Sequence, residues 1–172
     1  VGITFAMIQQ MQKPYCARCE HRIRSILRDV DDYALENLDS TKACYVYKKG
    51  QVIFSEGIPP TGLFCVHKGK VKVYKTGAEG REKIMRLVKH GDVMGYRSLL
   101  TGEPSSVSAA ALEESVICCI PQETFFKLLR GNGGFSMRII ELLSSELGKA
   151  EEDIVHIAQK PVRERLAEAL LL

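Results

Sequence analysis

Between residues 43 and 121 the apolar positions come in short runs, 45–47, 52–54, 63–66, 71–74, 84–88 and 116–120. Glycines at 50, 57, 62, 69, 77, 80, 91, 95 and 102 separate them. Runs this short, broken this regularly, predict strands joined by tight turns rather than helices, and hence a small barrel, roll or sandwich. Lys70, Lys72 and Lys75 sit around Val71, Val73 and Tyr74, so one face of that strand is expected to be buried and the other wet.

Outside this stretch the period changes to that of a helix. Asp31 and Asp32 precede Tyr33, Leu35 and Leu38, which predicts a short capped helix ending near Asp39 and Ser40. Phe125, Phe126, Leu128 and Leu129 mark a second helix over 122–129, stopped by Gly131-Asn132-Gly133-Gly134. A long helix follows over about 135–158, spanning roughly 36 Å at ~1.5 Å per residue. Along it Ile140, Leu143, Leu147, Ala150, Ile154 and Ile157 alternate at spacings of three and four, which is a heptad seam. A second line, Phe135, Ile139, Leu142 and Val155, lies on another face, so one side is expected to dock on the β domain and the seam to meet a second copy. Pro161 opens a final helical stripe of Val162, Leu166, Ala169 and Leu170, with Arg163, Glu164, Arg165 and Glu168 facing water. That stripe ends in three bare leucines, 170–172, so the chain reads as a piece of a longer protein.

At 172 residues, with 45% hydrophobic and 26% charged positions, the chain is long enough for a real core. The balance of 24 Lys and Arg against 21 Asp and Glu, a formal charge of +3, is too mild to argue for nucleic acid by itself. No apolar run reaches the 18 or so residues of a membrane span, so no membrane partner is expected. The apolar start lacks the basic flank and cleavage site of a signal peptide, and a cytoplasmic protein with reduced thiols is the expectation. Cys44, Cys65 and one of Cys118 and Cys119 then read as small buried hydrophobes. Cys16-Ala-Arg-Cys19 differs, since two thiols at that spacing can face one metal, although no second CxxC or HxxxH accompanies it. Basic residues Arg18, His21, Arg22 and Arg24, with Ile23, Ile26 and Leu27 at helical spacing, complete a leader expected to pack on the domain.

Several of these stretches together carry a family resemblance. Lys49-Gly50-Gln51-Val52-Ile53-Phe54, Glu56-Gly57, Leu63-Phe64, Gly69-Lys70-Val71-Lys72-Val73, Gly80 and Gly91-Asp92-Val93-Met94-Gly95 resemble the cyclic-nucleotide-binding β-roll of the Crp/Fnr transcription regulators. Residues 114–121 are most similar to the Fnr branch, and Lys160-Pro161-Val162-Arg163-Glu164-Arg165-Leu166-Ala167 resembles the first helix leading into a winged helix-turn-helix. The resemblance implies an α+β fold: a jelly-roll-like double-stranded β-roll flanked by short helices, then a dimerisation helix. It divides the chain into a leader over 1–42, the roll over 43–130, the dimer helix over 134–158 and the start of the DNA-binding domain over 160–172.

What the resemblance implies for a ligand is specific. Effector contacts fall on Gly95, Tyr96, Arg97, Ser98, Val107 and Ser108. The family places a glutamate directly after the second glycine and an arginine before a Ser/Thr-Ala pair; here Tyr96 and Val107 stand there. Both charged anchors of a cyclic nucleotide are missing, so cAMP is not the expected effector. Arg97 reads as a solvated arginine, and Ser98 and Ser108 as hydroxyls for another small molecule or as turn residues. The Fnr branch also implies an iron–sulfur cluster. Cys16, Cys19 and Cys118 match three of its ligands, but the third N-terminal cysteine has no counterpart, leaving His21 or Asp29 as stand-ins and the set incomplete. His67, His90 and His156 are far apart in sequence and read as structural rather than haem-binding.

The leading expectation is therefore the sensing part of a homodimeric regulator that reaches DNA through a domain outside this chain, and not an enzyme. An iron–sulfur or thiol redox sensor of the same family is the alternative. A cupin-like metalloenzyme is more remote, because no two histidines lie within twenty residues of each other and no catalytic triad is spaced into the chain. A nucleotide-binding regulatory domain of a kinase or channel fits worse, lacking the same two anchors.

Overall fold

A computed structural model describes residues 9–10, 14–77 and 79–159. Its chain divides into two compact units, residues 1–135 and 136–172. In the first unit, β1 (Gln9–Gln10), β2 (Ala43–Tyr47), β9 (Ser115–Pro121), β4 (Gly62–Lys68) and β7 (Val93–Met94) lie in that order in one antiparallel sheet. A second antiparallel sheet runs β3 (Val52–Phe54), β8 (Ser108–Ala111), β5 (Lys70–Thr76) and β6 (Glu82–Lys89). Tyr47, Phe64, Val66, Val71, Val73, Val88, Met94 and Ile117 fill the space between them, with Ala109 and Ala111. The fold is the mixed helix and β-roll that the sequence pattern predicts.

The helices begin and end where local chemistry dictates. Asp31 accepts a hydrogen bond from the Ala34 backbone N–H at 2.9 Å, which caps α1 (Asp32–Thr41) and lowers the Asp31 carboxyl pKa. That helix buries Leu35 and Leu38 completely. α3 (Gln122–Gly131) buries Phe125 and Leu128, and Phe125 meets Phe135 edge to face at 5.9 Å. Asn132 then accepts from the Phe135 N–H at 2.8 Å, starting α4 (Gly133–Gln159).

Three elements go beyond the sequence reading. β8 is Ser-Ala-Ala-Ala, a run with little strand propensity. It is a strand because it pairs on both sides, with β3 and β5, and is buried throughout. α2 (Tyr96–Thr101) is a single short helix bounded by Gly95 and Gly102, both in the left-handed region. In the leader, short 3-10 turns at Cys16–Arg18 and Arg22–Arg24 replace the expected helical stripe; Ile26 and Leu27 are buried while Ile23 faces solvent.

Taken by itself, the second unit is the greater part of α4. Its seam is exposed: Ile140, Leu147 and Ile154 are 53%, 62% and 65% accessible, Ala150 is exposed and Leu143 half-buried. On the other line, Phe135 and Ile139 are buried and Leu142 half-buried, but Val155 is exposed, so that line ends before the helix does. The Ile157 side chain and the stripe expected over 160–172 lie outside the described residues.

Candidate functional site

Two cavities concentrate the polar chemistry of the roll. The larger, about 320 Å³, opens beside β3 and is lined by Phe54, Ser55, Ile58, Thr61, Phe64, Gly95, Ser98 and Ser105 among others. That volume is at the low end of the ~300–1,000 Å³ of small-molecule sites. Gly95 is required there: its φ is +88°, and a Cβ would sit 3.2 Å from the Gly62 carbonyl oxygen and from the Phe64 ring. No lysine or arginine lines this cavity among the described residues.

The six residues that the sequence suggested for an effector are only partly brought together. Gly95 and Ser98 line the cavity. Tyr96 is buried, its hydroxyl 3.2 Å from an Arg86 guanidinium that also donates to the Val93 carbonyl at 3.0 Å and lies over the Tyr96 ring. Arg97 is exposed, as the solvated reading expects. Val107 packs against the core, and the Ser108 hydroxyl accepts from the Glu56 N–H at 2.9 Å. The sequence reading missed Ser55, Thr61 and Ser105; they stand in loops whose ends only the sheet pairing brings together.

The smaller cavity, about 50 Å³, is bordered by Cys16, Cys19, His21, Lys42, Cys65, His67 and Cys118. Lys42 is 1% exposed, and its ammonium donates to the Pro14 carbonyl, to Asp39 and, at 2.8 Å, to the Cys16 sulfur. Burial alone would lower the Lys42 pKa; the bonds to Asp39 and Cys16 outweigh it and hold the amine charged. Burial pushes the Cys16 thiol up to about 11 against the pull of Lys42. Cys19 lies 3.8 Å from Nδ1 of His67, whose pKa is lowered by burial and by neighbouring His21.

Two expectations are corrected here. Histidines remote in sequence gather in space, with the His21 ring 4.5 Å from that of His90 and 6.3 Å from that of His67. His156 stays apart, exposed on α4. Cys44 and Cys118, expected as reduced thiols, are joined by a disulfide, because the β2–β9 register sets them directly opposite with Cα atoms 4.0 Å apart.

That disulfide bears on the cluster ligands that the resemblance implies. Cys16, Cys19 and Cys118 do border one cavity, as the resemblance implies, but the Cys118 sulfur is already bonded and the Cys16 sulfur is held by an ammonium. Among the described residues no three His, Cys, Asp or Glu side chains are arranged to hold a metal ion. The donor set present does not fit a cluster.

The cyclic nucleotide-binding domain family matches residues 45–132. The fumarate nitrate reduction regulatory protein of Klebsiella oxytoca is 29% identical over 154 residues, covering 89% of this chain and 61% of that protein. The chain thus spans about three-fifths of the length of such relatives. A cyclic nucleotide-binding domain from Methylobacillus flagellatus superposes with a TM-score of 0.74 at 18% identity, over 90% of this chain and 92% of that one. The sensor domain of the transcriptional regulator DNR from Pseudomonas aeruginosa does so with a TM-score of 0.67 at 19% identity, over 80% and 89%. These two likenesses speak for the fold.

Proposed function

This chain belongs to the cyclic nucleotide-binding domain family, and on that premise we propose that it is the sensing and dimerising part of a Crp/Fnr-type transcription regulator whose effector is not cAMP. The observation that carries this reading is the larger cavity. It has the size of a ligand site and offers serine and threonine hydroxyls on an apolar wall, with no cation for a cyclic phosphate. An ionic phosphate placed there would give up its hydration without an arginine in return. The ligand class that fits is an uncharged small molecule with an apolar body and a few hydrogen-bonding groups.

The exposed ridge of α4 supports the dimer. Burying Ile140, Leu143, Leu147 and Ile154 against a second copy contributes about 1.5–3 kcal/mol per side chain, enough together to hold two chains. A ligand in the roll then acts on DNA only through its differential affinity for two arrangements of that pair. DNA contact is assigned to a domain beyond residue 172, and the cell compartment to the cytoplasm. Anaerobic purification of the full-length protein, followed by iron analysis and native mass spectrometry, tests the reading. Particles of two chains, free of iron and either empty or carrying a small neutral molecule, are expected. Stoichiometric iron or single-chain particles would overturn it.

A further inference from the structure

The larger cavity has a fixed rim and an uneven polarity from floor to mouth. The Gly57 N–H donates to the Ser105 carbonyl at 2.8 Å and the Ser105 N–H to the Ile58 carbonyl at 2.9 Å. Two backbone bonds thus tie the turn after β3 to the loop before β8. The Ser105 hydroxyl is spent on its own loop, donating to the Val107 carbonyl at 2.7 Å. The Glu56 carboxylate pairs with Lys75 at 3.8 Å, and neither of these charged side chains lines the cavity. Gly62, Phe64 and Ser105 are buried at the floor. At the mouth, Val52 and Ile58 are 45% and 53% exposed although both are apolar.

We propose that this cavity takes a neutral amphiphile head first, with an uncharged amide, ester or alcohol group at Ser98 and a short aliphatic tail that leaves over Phe54 between Val52 and Ile58. This rests on the reading of the cavity as the effector site, and it names the class and orientation of the effector. Ser98 is half-buried, and its hydroxyl makes no hydrogen bond among the described residues. Ser55 and Thr61 are exposed at the mouth, where solvent already serves their hydroxyls. A hydrogen bond made inside, with less water competing, is worth more than one made at the rim.

At the mouth the gain is apolar instead. A tail lying over Val52 and Ile58 removes from water two side chains whose backbone is already held, so little ordering is lost in covering them. A ligand entering tail first would leave the Ser98 hydroxyl without a partner and both apolar side chains wet. A charged head finds no counterion, since no Lys, Arg, His, Asp or Glu lines the cavity among the described residues.

The test is a homologous series of primary amides, butanamide, hexanamide and octanamide, titrated into the full-length protein and followed by ligand-observed NMR. Affinity is expected to rise about fourfold for each methylene as the tail covers the mouth. Ser98→Ala is expected to weaken all three amides by one shared factor, about two- to tenfold. Ile58→Ser is expected to flatten the series and leave butanamide unchanged, with unaltered unfolding midpoints showing that both variants fold. Hexanoate, equal in length but charged, is expected not to saturate. No saturable binding of octanamide, no dependence on tail length, or a Ser98→Ala protein that binds all three amides unchanged would overturn the proposal. Benzamide binding while the series stays flat would overturn it too and leave the neutral cavity standing, whereas hexanoate binding as tightly as hexanamide would overturn both.

Discussion

The two cavities of the roll divide chemistry that a nucleotide sensor would hold in one place. Among the described residues the larger has room, hydroxyls and apolar walls but no lysine or arginine, whereas the smaller has thiols, imidazoles and a buried ammonium but space for little more than water. The difference teaches that volume and charge have separate jobs in this fold. In the smaller cavity Lys42 spends its charge on Asp39 and Cys16, tying the leader to α1. Outside the larger one, the Arg86 guanidinium on β6 is committed to the Tyr96 hydroxyl and the Val93 carbonyl.

The sharpest way to break this contrast is to remove the buried charge. Lys42→Met strands the Asp39 carboxylate, which is only 14% exposed, and is expected to cost about 3–5 kcal/mol in denaturant unfolding. A loss below 1 kcal/mol would mean that the ammonium does not hold the leader. On the long helix, Leu147→Arg puts a charge at the centre of the exposed ridge. Sedimentation equilibrium is expected to show a dimer for the unaltered protein and monomers for the variant. Gly95→Ala forces a side chain into a left-handed turn against Phe64 and the Gly62 carbonyl, at a cost of about 1–2 kcal/mol in the same unfolding assay.

The smallest effect belongs to His67. Its folded pKa lies below the ordinary histidine value, so above that value both states are neutral and stability is complete. As pH falls through about 6.5 the unfolded chain takes up a proton that the folded protein refuses, and stability declines until the lowered folded pKa is passed. His67→Gln should flatten the unfolding curve between about pH 7 and 5; an unchanged slope would remove His67 as its source.

How legible this was depended on whether the determining contacts are local. The strand runs, the turn glycines and the helical period of α4 are properties of neighbouring residues, and the structure follows them. β8 was hidden because Ser108–Ala111 takes its conformation from β3 and β5 rather than from its own propensity. The Cys44–Cys118 bond was hidden for the same reason, since only the β2–β9 register sets those two residues opposite each other, 74 positions apart. The gathering of His21, His67 and His90 depends on where the leader lies against the β4 and β6 ends, which no period along the chain records. For the effector cavity the sequence identified the missing anchors at Tyr96 and Val107 but not the wall, because Ser55, Thr61 and Ser105 sit on separate loops.

The central claim, a ligand cavity without a phosphate anchor, is met most directly by calorimetric titration of the reduced protein with cAMP. No saturable heat is expected up to millimolar nucleotide. A one-to-one isotherm in the micromolar range would contradict the account.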